Sequence, residues 1–327
     1  MDTATHFAIG FGLAGLAYID PVVAADPVTA GAIMLATVLG SQAPDFDTVL
    51  RMRGNAAYIR NHRGLSHSLP FLAIWTFLIT ALIMLLFREA AIWHVALWTG
   101  IAVCLHVFTD LFNTYGTQAL RPFSRKWISW DIIHIFDPFI FGSHVVAIVL
   151  WALQLLPPAP LFTALYGLLI FYYIWRVWSH RLGRQRVQQL DAGYKEGDTY
   201  SLIPTMSWNK WHVVKASRNG SYELGIYENG ELNWNRRAKS STHAAVEVST
   251  QHSDIRSFLY FSSYAVADVE EFAWGYIVRW TDVRYRHRKQ YPFVAVIAMD
   301  RNFETLHTYV GWLSDEKMQK RLSPHMN

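Results

Sequence analysis

The sequence predicts a mainly α polytopic membrane helical bundle of about six membrane helices, followed by a C-terminal β-rich soluble domain. Composition carries the first half of that expectation. Hydrophobic residues make up 52% and charged residues 17% of the 327, and the mean hydropathy is +0.13, which excludes a disordered chain or an ordinary water-soluble globule. The 14 Trp and 16 Tyr suit a protein with many side chains at a bilayer interface. Charge distribution carries the second half. Residues 1–180 hold nine Lys/Arg and nine Asp/Glu clustered between apolar runs, whereas 181–327 hold 20 and 16 spread as on a water-facing surface. Cys104 is the sole cysteine, so there is no internal disulfide and no thiolate zinc site; any metal must be held by His and carboxylate.

Two short Gly/Ala-rich apolar stretches come first, at about 5–19 and 28–40, joined by Asp20-Pro21 and Asp26-Pro27. They read as a tightly packed helical hairpin. A signal peptide is the alternative for the N-terminus, but the stretch lacks a basic n-region and opens with Asp2. Four longer runs, 69–87, 92–112, 139–156 and 160–178, are each long enough for about 30 Å of hydrocarbon at about 1.5 Å per residue. Arg and Lys are retained on the cytoplasmic side during insertion. Arg51, Arg53, Arg60 and Arg63, then Arg121, Arg125 and Lys126, then Arg176, Arg181, Arg184 and Arg186 all fall in alternate loops. Six spans with both termini in the cytoplasm satisfy this pattern, and the expected location is the cytoplasmic membrane. The expected domains are a membrane-embedded helical domain at 1–180, a basic juxtamembrane linker at 181–194 and a cytoplasmic β-rich domain at 195–327. In the last, 222–227 and 231–234 flank Asn229-Gly230, a strong hairpin signal because both turn positions need φ > 0. Further strand candidates are 256–264, 272–280, 293–299 and 305–312.

Ionisable residues beside membrane spans are costly, so their placement is informative. His6, Asp45, Asp47, His62, His67, His106, Asp110, Asp131 and Asp137 all fall within reach of the cytoplasmic interface in this topology. His106 and Asp110, four apart, share one helix face and can chelate one metal. Asp45 and Asp47, after Pro44, present two carboxylates, one of which could bridge two ions. His62 and His67 flank Arg63 and Gly64, with Ser66 or Ser68 placed to cap the next helix and Arg63 suited to a phosphate. Each has a plainer explanation: Asp137 before Pro138 is a helix N-cap, Asp45 and Asp47 are turn or cap residues, and His106 is a hydrogen-bonded structural histidine. His94 and His144 are read as structural. What favours a site is that the others gather in one layer.

The strings Met-Asp-Thr-Ala-Thr-His at 1–6, Gly-Ser-Gln-Ala-Pro-Asp-Phe-Asp at 40–47, Arg-Gly-Leu-Ser-His-Ser at 63–68, His-Val-Phe-Thr-Asp at 106–110, Asn-Thr-Tyr-Gly-Thr at 113–117, Trp-Asp at 130–131 and Asp-Pro at 137–138 resemble the YdjM-like bacterial membrane-bound metal-dependent hydrolase family, including its YfhP group. The resemblance covers about 1–180. More distantly, the order His, Pro-Asp, His, His-x-x-x-Asp is similar to zinc-dependent phospholipase C and the P1-type nucleases; their later His-x-x-x-Glu is absent here. The resemblance implies His6, Asp45, His67, His106 and Asp110 as metal ligands, with Asp45 a bridge, and Asp47, His62, Asp131 and Asp137 completing or orienting the set. It implies a catalytic role for Asp45, Asp47 and Arg63 around a metal-activated water. The metal is expected to be zinc, with manganese or iron as alternatives.

In the soluble half, Arg284, Arg286, His287, Arg288 and Lys289 form a basic cluster among Tyr285 and Tyr291. It reads first as a solvated loop or strand edge, and otherwise as a contact for acidic phospholipid or nucleic acid. The leading functional expectation is a phosphoesterase acting on a lipid or lipid-linked substrate at the cytoplasmic interface. The alternative is a non-catalytic, metal-sensing regulator whose β-rich domain binds protein or DNA. A transporter is disfavoured because the polar groups collect at one face rather than cross the bilayer.

Overall fold

The computed structural model describes residues 1–285 and 293–312. It divides into two compact units: Met1–Asp47 with His62–Gly183 and Pro204–Trp208, and Thr48–Asn61 with Arg184–Ile203 and Asn209 onward.

The first unit is helical. Helix α1 (Thr3–Leu16) starts at Asp2, whose carboxylate accepts the Ala4 and Thr5 N–H groups. The two Asp-Pro pairs are both helix starts: Asp20 caps α2 (Pro21–Ala25) and Asp26 caps α3 (Pro27–Gly40), each with proline at the first helical position. Helix α1 lies against α3 at Gly10, where an added Cβ would come within 2.9 Å of the Val38 Cα, so a larger residue would force the two backbones apart. A 3₁₀ run (Ala43–Arg53) follows, then α4 (Asn55–Asn61), which belongs to the second unit. Helices α5 (Leu69–Leu86), α6 (Ile92–Asp110), α7 (Pro138–Ala152) and α8 (Pro158–Leu190) complete the bundle. Its core gathers Ile9, Leu13, Ile33, Val103, Ile140 and Phe162.

Helices α5, α6 and α8 are long and apolar enough to cross a membrane, while the α1 segment, α3 and α7 are apolar but shorter. The apolar run expected at 139–156 is helical only to Ala152. Helix α7 has 15 residues, about 22 Å, which falls short of about 30 Å of hydrocarbon. It ends because Gln154 takes a left-handed conformation (φ 55°) while Leu155 N–H turns back to the Leu150 carbonyl. The run at 160–178 errs the other way. Helix α8 continues to Leu190 over 33 residues, so the first ten positions of the expected linker, 181–190, are helical.

The second unit holds two four-stranded sheets, ordered β1-β2-β3-β4 and β5-β6-β7-β8. The first comprises β1 (Thr199–Pro204), β2 (Lys210–Ala216), β3 (Ser221–Glu228) and β4 (Glu231–Lys239). The Asn229-Gly230 turn joins β3 to β4 with both residues at positive φ, as the sequence predicts. Helices α9 (Ala244–Ser249) and α10 (Ser253–Phe261) come next, then β5 (Ala265–Phe272), β6 (Gly275–Asp282), β7 (Phe293–Asp300) and β8 (Thr305–Trp312) in an antiparallel meander.

One strand expectation is corrected. Residues 256–264 lie mostly in α10, capped by the His252 imidazole with Ile255 and Phe258 buried three apart; helical periodicity outweighs the β propensity of its aromatic residues. The run 272–280 is strand from Gly275, the start of β6, and only its first three residues differ: Phe272 ends β5 and pairs with Gly275 across the corner. Arg284 is buried rather than part of a surface cluster. Its guanidinium pairs with Asp282 at 2.7 Å and lies over the Tyr264 and Tyr285 rings. Residues 286–291 of that basic cluster lie outside the described residues.

Candidate metal centre

Four stretches of the first unit deliver polar side chains to one buried point. Helix α1 brings His6, the 3₁₀ run brings Asp45, a short turn (Leu65–His67) brings His67, and the last turn of α6 brings His106 and Asp110. His67 Nε2 lies 3.5 Å from both Asp45 Oδ1 and Asp110 Oδ2, and His106 Nε2 lies 3.7 and 3.6 Å from the same two atoms. All four donor atoms lie within 4.8 Å of one another. These separations are too long for hydrogen bonds, which close at about 2.7–3.2 Å. They are near the about 3.3–3.6 Å between ligands held at 2.0–2.2 Å by one tetrahedral ion.

The same four atoms, Asp45 Oδ1, His67 Nε2, His106 Nε2 and Asp110 Oδ2, are buried and find no hydrogen-bond partner among the described residues. Leaving even one such group unsatisfied costs about 1–3 kcal/mol. Four converging on one point fit a divalent cation. The donor set of two imidazoles and two carboxylates suits zinc and also admits manganese or iron.

The ring orientations are set from behind. His106 lies within 2.6 Å of the Ser41 carbonyl through Nδ1, a carbonyl that the end of α3 leaves without an intrahelical partner. That contact puts the proton on Nδ1 and leaves Nε2 as a lone pair facing inward. His67 Nδ1 lies 3.0 Å from Ser66 Oγ, which donates to Asp47 Oδ2 at 2.6 Å. Asp47 also accepts the Arg63 N–H at 3.0 Å and meets His62 Nδ1 at 2.6 Å. Both Asp47 oxygens are thus hydrogen-bonded behind His67, and Asp45, Asp47 and His62 form a second group of side chains spaced closely enough to hold an ion.

His6 stacks on His106 with ring centroids 3.8 Å apart, and its Nε2 lies 3.4 Å from Asp110 Oδ1. The Met1 amine lies against Asp110 and 3.0 Å from His6 Nε2. Arg63, expected to meet a phosphate, is buried; it donates to Asn113 Oδ1 and the Met1 carbonyl and stands 3.3 Å from Asp110. Its charge is thus used on the carboxylate side of the centre.

Burial alone would raise the Asp45 carboxyl, but the positive charge around it, His106 when protonated first and Arg63 after it, holds the group well below the usual carboxylate range. Burial pushes the His67 imidazole down to about 3, so it stays neutral and able to donate its lone pair. Asp47 is likewise held low, its His62 and Ser66 contacts outweighing burial. Asp45 is the one ligand with an open side, its side chain 18% exposed where His67, His106 and Asp110 are at 0%. Phe46 and Trp75 meet edge to face beside it.

Asp131 and Asp137 are not brought into this group. Asp131 accepts from Ser129. Asp137 caps α7 and accepts from Tyr172 at 2.6 Å, the plainer of the two explanations its sequence allows. His94 pairs with Asp20, and His144 Nδ1 turns back to the Ile140 carbonyl; neither joins this group. Sequence reasoning missed Ser41, as a main-chain acceptor, and Asn113, which bonds both Asp110 and Arg63. Asn113 stands three residues after Asp110, a spacing that could have marked it.

A bundle of apolar helices closing around a buried His/Asp group able to hold a cation defines a class: helical membrane proteins with a polar centre. The chain belongs to the YdjM inner membrane protein family, whose model matches residues 1–183. The model of the YfhP C-terminal alpha/beta plait domain matches residues 244–322. The chain is 40% identical to "Uncharacterized protein YfhP" of Bacillus subtilis (strain 168) over 327 residues, covering 98% of each chain. No solved structure matches. The family resemblance read from the motifs is therefore shown, and it extends through the C-terminal domain.

Proposed function

We propose that this protein is a membrane-bound, metal-dependent hydrolase that cleaves a phosphoester of a lipid or lipid-linked substrate at the cytoplasmic membrane interface. The observation that carries the reading is the convergence of four buried donor atoms, none of them hydrogen-bonded among the described residues, from three separate stretches of chain. Asp45, His67, His106 and Asp110 would hold the ion, zinc first by donor type, with His6 beside them. A divalent ion here supplies Lewis acidity and lowers the proton affinity of water near it. The chain's own residues do the rest. Ser66, Asp47 and His62 fix the His67 ring, and Arg63 offsets the charge of Asp110. Asp45 stands at the open side, where a substrate phosphate would arrive beside Phe46 and Trp75. Placement of that side at the inner leaflet rests on the arginine-bearing loops.

The test is metal analysis of detergent-purified protein followed by turnover. Wild type is expected to retain a stoichiometric transition metal, and His106→Ala with Asp110→Ala to lose most of it; equal metal in both refutes the centre. Metal-dependent hydrolysis of a phosphodiester lipid, lost in Asp45→Asn, is the catalytic result. Metal retention with no turnover across a lipid panel would replace catalysis with metal sensing.

A further inference from the structure

Away from the ligands, α1, α6, α7 and α8 enclose an almost wholly apolar groove of about 590 Å³, lined among others by Leu105, Phe112, Ile140, Leu169, Ile174 and Trp178. It follows α8 from Tyr166 to Arg181, about 22 Å at about 1.5 Å per residue. The mean cross-section is therefore about 27 Å², the width of one hydrocarbon chain.

Thr109, His144, Tyr166 and Tyr173 also line it, but its one arginine, Arg181, stands at the end where the basic stretch begins. Trp178 is 60% exposed there, and Arg181 is exposed and pairs with no carboxylate among the described residues. Tryptophan and arginine together mark the headgroup level of a bilayer. We propose that the groove binds one acyl chain of an anionic phospholipid, with the Arg181 guanidinium on its phosphate. This lipid is separate from any substrate: the groove face of α6, at Leu105, Phe108, Thr109 and Phe112, is turned from the face carrying His106 and Asp110. The inference rests on the membrane placement of α8 and is independent of hydrolysis.

The test uses the full chain reconstituted in vesicles of equal phosphatidylglycerol and phosphatidylcholine, re-extracted in mild detergent and analysed by native mass spectrometry. Wild type is expected to keep one phospholipid, phosphatidylglycerol being preferred about fivefold, the ratio for one cation near the surface at about 1 kcal/mol. Arg181→Gln removes the preference but keeps a lipid. Ile174→Trp, which fills the groove from a side chain 60% exposed, removes the lipid, whereas Ile74→Trp on α5 leaves it in place. The thermal midpoint of each variant reports folding, and should Ile174→Trp unfold early, Ile170→Trp on the same wall decides. A wild type that keeps no lipid, a filled groove that keeps as much as wild type, or equal retention of both lipids by wild type overturns the proposal.

Discussion

Asp47 is hydrogen-bonded on both carboxylate oxygens behind His67. It receives Ser66 Oγ, the Arg63 N–H and His62, so its work is to hold the His67 ring with Nε2 inward. Asp47→Asn and Ser66→Ala should each lower metal affinity about 10–100-fold, as loss of an orienting partner does, with the four donor atoms unchanged. Competition with a chelator of known affinity measures it; affinity equal to wild type in both would remove the orienting role. A second buried group, in the other unit, is structural. Lys215 Nζ reaches Asp191 at 2.6 Å, Asp198 at 3.2 Å and Glu223 at 3.4 Å, and Tyr200 donates to Asp191. Burial raises the Asp191 carboxyl, but the Lys215 and Tyr200 contacts outweigh it and the net shift is downward. A carboxyl lower in the folded state than its unfolded value near 3.9 stabilises fully above that value. The contribution is lost as pH falls through the lower folded value. For Lys215, burial lowers and the carboxylates more than restore, so its shift is upward and its contribution fades only as pH rises past about 10.4. Lys215→Met should therefore cost about 3 kcal/mol at neutral pH and weaken the steep acid limb of a urea-denaturation series. An unchanged acid limb would mean the carboxylates are held by other groups.

At the scale of elements, the sequence was most legible where a residue's chemistry and its period agree. His106 and Asp110 share a helix face, Asp-Pro pairs open helices, and Asn229-Gly230 turns a hairpin. It was least legible where composition and period conflict. The aromatic run in α10 favours a strand by propensity, and only Ile255 and Phe258 on one face, with the His252 cap, decide for helix. The end of α7 was hidden because Leu153, Leu155 and Leu156 prolong the apolar run past the helix. Asp45, His67, His106 and Asp110, which the fold brings together, stood out because each type is rare beside apolar segments. The backbone carbonyl of Ser41 carries no such signal. Close packing of α1 on α3 is itself testable. Gly10→Val places methyl groups where Val38 Cα and Ser41 Oγ already stand, and Ser41 also supplies the carbonyl on His106. Overpacking of this kind costs about 1–3 kcal/mol, and the variant should lose metal along with thermal midpoint. Full metal retention in Gly10→Val would show that the His106 orientation does not depend on the α1–α3 contact.

For the whole molecule the open quantity is which helices cross. Helices α5, α6 and α8 suffice by length, and α1 with α3, being paired, cross together or not at all without changing later loops. Helix α7 decides the rest. If it crosses, Arg121, Arg125 and Lys126 and the basic end of α8 share one side, in accord with retention of basic loops in the cytoplasm. If it does not, α8 carries its arginines to the opposite face. With 15 residues α7 falls about 8 Å short of the hydrocarbon thickness, a mismatch that local thinning accommodates at a fraction of a kcal/mol per Å. Stranding several arginines on the wrong side defeats insertion more seriously, so we expect α7 to cross. The measurement is labelling of single cysteines by an impermeant maleimide in a Cys104→Ser background. Asn55→Cys precedes α5 and should react only after permeabilisation. Pro158→Cys, at the start of α8, should react in intact cells. Reaction of both only after permeabilisation would leave α7 on the inner face and place the C-terminal unit outside, where neither its expected cytoplasmic role nor the positive-inside argument could stand.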